Sequence, residues 1–223
     1  MKRTRIDDRK LPVYTHAEEV MNMVTHIVGG GMGVIILVLG VVLSALHGNA
    51  WGVVGMSIYG AMMIWLYTMS SVYHGLHPGR AKKVLQVLDH CTIYALIAGT
   101  YTPILLSAIR PLYPVHAWVM FGIEWGLLAL TTTLTAIDLR KYRVFSMICY
   151  ILMGWLIIFA VPQAIEALTL PGFLWLLGGG IAYTVGAILY GVGSKVPWFH
   201  SVFHIFVLIG SGLQAAAILF YAI

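Results

Sequence analysis

"PWFHSVFHIFVLIGSGLQ", residues 197–214, holds no Asp, Glu, Lys or Arg, yet carries His200 and His204 four residues apart. That spacing puts both imidazoles on one face of a helix, from which they can share one ion. Two other apolar stretches carry polar groups of the same kind. "MSSVYHGLH" places Ser70 and His74 four apart, and "LDHCTIYALIAGTYTP" places Asp89 and His90 near its start. Ionisable side chains in apolar spans are costly, so each is a candidate for function. Neutral imidazole suits zinc, and three protein ligands with one open position form the usual catalytic arrangement. The expected ligands are His74, His200 and His204. Asp89 is the expected base or orienter of a water, and Ser70 its polar support.

The elements that hold these groups follow from composition. Of 223 residues, 60% are hydrophobic and 9% charged. Too few polar residues remain to coat a soluble core, so lipid must be part of the solvent. No charged residue occurs between Glu19 and Arg80, enough chain for two spans of ~20 residues. Gly, Pro and charge punctuation predict seven spans, near 23–45, 51–73, 85–107, 115–136, 144–161, 172–193 and 198–221. Each must be helical, because an open strand leaves backbone groups unsatisfied in lipid. The expected fold is all-α, one seven-helix transmembrane domain over 1–223.

Lys and Arg alternate along that reading. The N-terminal segment carries Lys2, Arg3, Arg5, Arg9 and Lys10, and the second, fourth and sixth connections carry Arg80, Lys82, Lys83, Arg140, Lys141, Arg143 and Lys195. The first and fifth carry none, and the third carries only Arg110. The positive-inside rule then places the N-terminus in the cytoplasm and the C-terminus outside, the charge pattern of a resident inner-membrane protein. It also puts His74, Asp89, His200 and His204 at one membrane depth. The net charge of +5 is spread over these connections. It forms no single patch, which argues against nucleic acid. No cleavable signal peptide is expected, since the first apolar run is too long for one.

The remaining polar residues read as follows. His90 points about 100° away from Asp89 around a helix and is not expected to be a ligand. His26 lies at the cytoplasmic end of the first span and can reach the site. His77 and His16 read as solvated or interfacial, and His47 and His116 as near the outer face. Glu18 and Glu19 read as an amphipathic segment before the first span. Glu124, near the middle of the fourth span, is either a proton site or a hydrogen-bonding neutral acid. Cys91 and Cys149 read as small core residues, and "GGGMG" and "GGG" as helix-packing sites.

"AEEVMNMVTH", "SSVYHGLHPGRAKK", "LDHCTIYALIAGTYTP" and "HSVFHIF" resemble the successive motifs of the bacterial hemolysin III family. That family belongs with the progesterone and adipoQ receptors and, more remotely, the alkaline ceramidases. The resemblance covers almost the whole chain. It implies seven helices with the N-terminus inside and zinc at the cytoplasmic side. By motif the implied ligands are His74, His200 and His204, with Asp89 and Ser70 as polar partners. Glu124 matches no motif. On activity the resemblance implies hydrolysis of a lipid amide or ester and a part in membrane-lipid homeostasis, with a membrane lipid as substrate or ligand. A non-enzymatic sensor or receptor-like regulator with structural zinc is the alternative. A pore-forming cytolysin fits less well, because the spans lack a continuous polar stripe.

Overall fold

The computed structural model describes residues 4–193 and 196–223. Its elements are α1 (His16–Leu46), α2 (Ala50–Gly75), α3 (Arg80–Pro103), α4 (Pro114–Asp138), α5 (Arg143–Gly154), α6 (Val161–Gly193) and α7 (Phe199–Tyr221). A π-helical turn, Ile104–Ile109, extends α3 beyond Pro103, and a 3₁₀ turn, Leu156–Ala160, joins α5 to α6. There is no strand among the described residues. Six helical stretches are long and apolar enough to cross a membrane.

The count differs from the seven spans read from sequence. The spans expected near 144–161 and 172–193 fall in one helical stretch of 49 residues, Arg143–Gly191. Its break is at Thr169, whose φ of 63° and ψ of 164° leave the helical region, two residues before Pro171. Beyond the break the chain folds back on itself. Trp155 Nε1 donates to Thr184 Oγ1 at 3.0 Å, and Met147 lies beside Gly191. Of the basic residues in the charge alternation, Lys2, Arg3 and Lys195 lie outside the described residues.

Helix starts are specified locally. Thr15 and Glu18 form a reciprocal capping box: the Thr15 hydroxyl accepts from Glu18 N at 3.2 Å, and the Glu18 carboxylate accepts from Thr15 N at 2.9 Å. α1 therefore begins seven residues before the apolar edge taken from sequence at 23. The Asn49 side chain caps α2 by accepting from Gly52 N at 2.8 Å. At α7 the cap residue Trp198 is left-handed, with φ 66°. Its N–H donates to Glu18 Oε1 at 2.6 Å, so α1 fixes where α7 starts.

The core is aromatic and thioether-rich. Met56, Tyr59, Met63 and Tyr67 of α2 and Tyr94 of α3 are fully buried. α3 with its π turn is the central helix, while α1, α4, α5 and α6 expose Val, Ile, Leu and Phe outward, as a lipid-facing surface requires. The glycine runs act by packing, as their spacing predicts. Gly33 meets Met63 and Ile64 of α2, and Gly179 meets Gly210 of α7.

The closest backbone approach is at Gly55, where an added Cβ would sit 2.7 Å from Pro103 Cα. Backbone cannot swing away as a flexible side chain would. Gly55→Ala should therefore cost about 1–3 kcal/mol by overpacking. Gly122→Ala, where nothing lies within 4 Å, should cost far less. Paired thermal melts of the two variants check this.

Candidate metal centre

Four helix ends converge at one side of the bundle. His74 lies in the last turn of α2, and His200 and His204 lie in the first turns of α7. All three are buried. His204 Nε2 is 3.1 Å from His200 Nε2, which is 3.4 Å from His74 Nε2. One ligand atom from each lies within 4.8 Å of the others.

That donor set fits a metal. Zinc–nitrogen bonds of about 2.0–2.1 Å in a tetrahedron put ligand nitrogens roughly 3.3 Å apart. The two separations, 3.1 and 3.4 Å, bracket that edge. The His74 Nδ1 atom lies 2.6 Å from Glu19 Oε2. An ionised carboxylate only accepts, so Nδ1 is the donor of this pair, and in a neutral imidazole Nε2 is then the nitrogen left to face His200 as a ligand. The buried Nδ1 of His204 has no hydrogen-bond partner among the described residues.

Aromatic faces hold the rings. Tyr14, just before α1, stacks on His200 at 4.8 Å between centroids with 17° between planes. Burial pushes the Tyr14 hydroxyl well above its ordinary range, so this ring stays uncharged. His26 stacks on His204 at 3.8 Å and meets Tyr67 edge-on. Tyr73 packs edge-on against His74.

Beside the cluster lies a mostly apolar cavity of about 710 Å³. His200, His204, Ser70 and Asp89 line it, and its walls continue along Ile97, Ile157, Phe173 and Leu176. The structure thus brings Ser70 and Asp89 to the same cavity as the α7 histidine pair. His26 is also on its wall, and neither of its ring nitrogens has a hydrogen-bond partner among the described residues. His90 is engaged elsewhere. Its Nδ1 donates to Gln86 O at 2.7 Å, so Nε2 accepts from the Tyr190 hydroxyl at 3.0 Å. His16, His47, His77 and His116 are exposed. Glu124 is fully buried on α4, with neither carboxyl oxygen hydrogen-bonded among the described residues. Of the two readings open for Glu124, the hydrogen-bonded neutral acid finds no partner among the described residues.

Three residues around the cluster escaped the sequence reading as site residues. Glu19 contacts His74 directly. Lys82 Nζ donates to Glu19 Oε1 at 2.6 Å and to Leu76 O at 2.9 Å. Asn22 Oδ1 accepts from Ser201 Oγ at 2.7 Å, tying α1 to α7. A signal was present: Glu19, Asn22 and His26 are three and four apart, hence on one face of α1.

These features define a membrane-embedded, all-helical bundle with a buried three-histidine group able to hold a metal ion. The chain belongs to the haemolysin-III related family, whose model matches residues 14–215. It is similar to Hemolysin-3 of Bacillus cereus, 40% identical over 207 residues and covering 92% of each chain. It is similar also to the Hemolysin-3 homolog of Bacillus subtilis (strain 168), 36% identical over 211 residues, 95% of this chain and 97% of the relative. A more distant likeness is to the human monocyte to macrophage differentiation factor, 28% identical over 94% of this chain and 80% of that protein. With its six apolar helices and these relatives, the chain is an integral bacterial membrane protein.

Proposed function

We propose that the protein is a zinc-dependent hydrolase of a membrane-lipid amide or ester, ceramidase-like in chemistry and serving membrane-lipid homeostasis. The observation that carries this reading is the shared cavity: the α7 histidines, Asp89 and Ser70 meet at one end of a mostly apolar space. His74, His200 and His204 would hold the ion. Zinc at such a site supplies Lewis-acid polarisation of a carbonyl and brings the pKa of a water toward ~7. Asp89 accepts the proton of the attacking water and returns it to the amine or alcohol that departs as the acyl C–N or C–O bond breaks, and Ser70 steadies the reacting groups by hydrogen bonding. The apolar walls take the acyl chain and exclude bulk water.

The topology we propose is a single seven-pass domain with a cytoplasmic N-terminus. The fold-back of Arg143–Gly191 at Thr169 supports two passes within that stretch. The alternation of basic connections supports the orientation. The site then lies at the cytoplasmic side.

Asp89→Asn should retain zinc and lose hydrolysis by ~10²–10⁴-fold, the usual scale for a general base. The check is fatty-acid release from a panel of lipid amides and esters in proteoliposomes, with metal analysis of the same samples. Undiminished hydrolysis by the variant would remove Asp89 from the role.

The second reading is a non-enzymatic membrane sensor with structural zinc. It is favoured by one observation, that the histidine group joins α2 to α7 and so could act as a clamp. No cleavage of any lipid in the panel, together with melting of the bundle on zinc removal, would select it. A pore is the reading the Bacillus cereus relative's name brings. Dose-dependent leakage from liposomes would support it.

A further inference from the structure

We infer that Glu19 is a positioning residue for the metal, acting through His74, and that Lys82 holds Glu19 in place. This rests on the metal-site reading above and concerns residues outside the three ligands.

The contact is well placed for such a role. A ligating imidazole needs its second nitrogen fixed, because that bond selects the tautomer and the ring plane. His74 Nδ1 meets Glu19 Oε2 at 2.6 Å, with the His74 side chain fully shielded and Glu19 only 19% exposed. A nearly dry, charge-assisted bond of that length is strong. Asn22 Nδ2 is also near, 3.4 Å from the same nitrogen. A protonated Nδ1 cannot accept from it, so Asn22 packs there while its oxygen binds Ser201. Among the described residues, Glu19 is the carboxylate that reaches a candidate ligand.

Lys82 completes the chain of contacts. Its Nζ is 2.6 Å from Glu19 Oε1, with the lysine side chain 4% exposed. The same ammonium donates to Leu76 O at the C-terminal cap of α2, where a helix leaves carbonyls unsatisfied. One lysine thus aims the carboxylate and anchors the helix end that carries His74. α1, α2 and α3 are locked together within two residues of a candidate ligand. Three neutral imidazoles bring no charge to a divalent ion. Glu19 places a negative charge one imidazole away, which raises the basicity of Nε2.

The test is zinc affinity by chelator competition on the purified, folded, metal-free protein. Wild type should bind one ion, and His74→Ala should lose it. Glu19→Gln keeps an acceptor oxygen but removes the charge. It should weaken zinc by ~10–100-fold, the scale for such outer partners. Glu19→Leu removes both charge and acceptor and should weaken zinc further. Lys82→Met reports on the same link from its far end and should weaken zinc by a smaller factor. ¹⁵N NMR of the histidines should show the Nδ1–H tautomer at His74 in wild type and its loss in Glu19→Leu, a signature that a merely structural role would not move. Unchanged affinity in Glu19→Gln and Lys82→Met, with His74→Ala still inactive in binding, overturns the positioning role and leaves the metal site standing. Absence of zinc binding by wild type overturns both.

Discussion

Replacing His204 with alanine should abolish the stabilisation that zinc confers on the protein. A ligand that binds only the folded state stabilises it by RT ln(1 + [L]/Kd), about 4 kcal/mol at a thousand-fold excess over Kd. For a chain of this size that corresponds to roughly 10 °C in melting temperature. His204→Ala leaves two imidazoles, from different helices, and no complete three-nitrogen set. The variant should melt at the same temperature with zinc as with chelator, while wild type shows the full difference.

His204 is the sharpest of the three positions to test. It is 2% exposed, and its Nε2 sits 3.1 Å from that of its helix partner. Its removal also opens space beside His26, so the chelator-treated variant should melt somewhat below chelator-treated wild type. The decisive quantity is the zinc-dependent increment, which this packing loss does not touch. An increment equal to that of wild type would mean that the ion, if bound, is held elsewhere. Glu19→Gln differs in kind, since it should shift the zinc concentration needed without removing the increment.

The site's outline was legible because its residues stand against an apolar background. His200 and His204 declared a shared face by spacing alone, and the absence of charge around His74 marked it in the same way. Glu19 was legible as part of a polar face of α1 with Asn22 and His26, but its pairing with His74 was not, for a physical reason. It lies 55 residues from His74, and its neighbour Glu18 already explains an acid there by capping α1. A local role masked a distant one. The start of α1 precedes its apolar edge for a related reason: the Thr15 and Glu18 pair marks the helix, while hydropathy marks only where lipid begins. The break at Thr169 falls in the connection left between the spans expected near 144–161 and 172–193, but the residue that makes it carries no warning. Positive φ favours glycine, and a threonine gives no local hint that it is the one to leave the helix. Pro171 was visible, but a proline also begins helices. The π turn after Pro103 is similarly silent, since its residues, Ile104–Ile109, are ordinary apolar ones.

Glu124→Met should make the protein more stable. Glu124 is fully buried on α4, and neither carboxyl oxygen has a hydrogen-bond partner among the described residues. A buried polar group without a partner costs about 1–3 kcal/mol by mutational measures. Methionine has similar volume and enough torsional freedom to fill the same space. The gain should be about 1–3 kcal/mol, read as a rise of several degrees in the melting temperature. Glu124→Gln is the control, because it keeps polar atoms in the same place and should recover much less. Zinc affinity should be unchanged in both variants, since Glu124 does not line the cavity beside the histidines. A methionine variant that melts below wild type would show that the carboxyl is bonded in the membrane, and loss of turnover in a variant that stays folded would make it the proton site instead. A stabilised and fully active Glu124→Met would leave the acid with neither role.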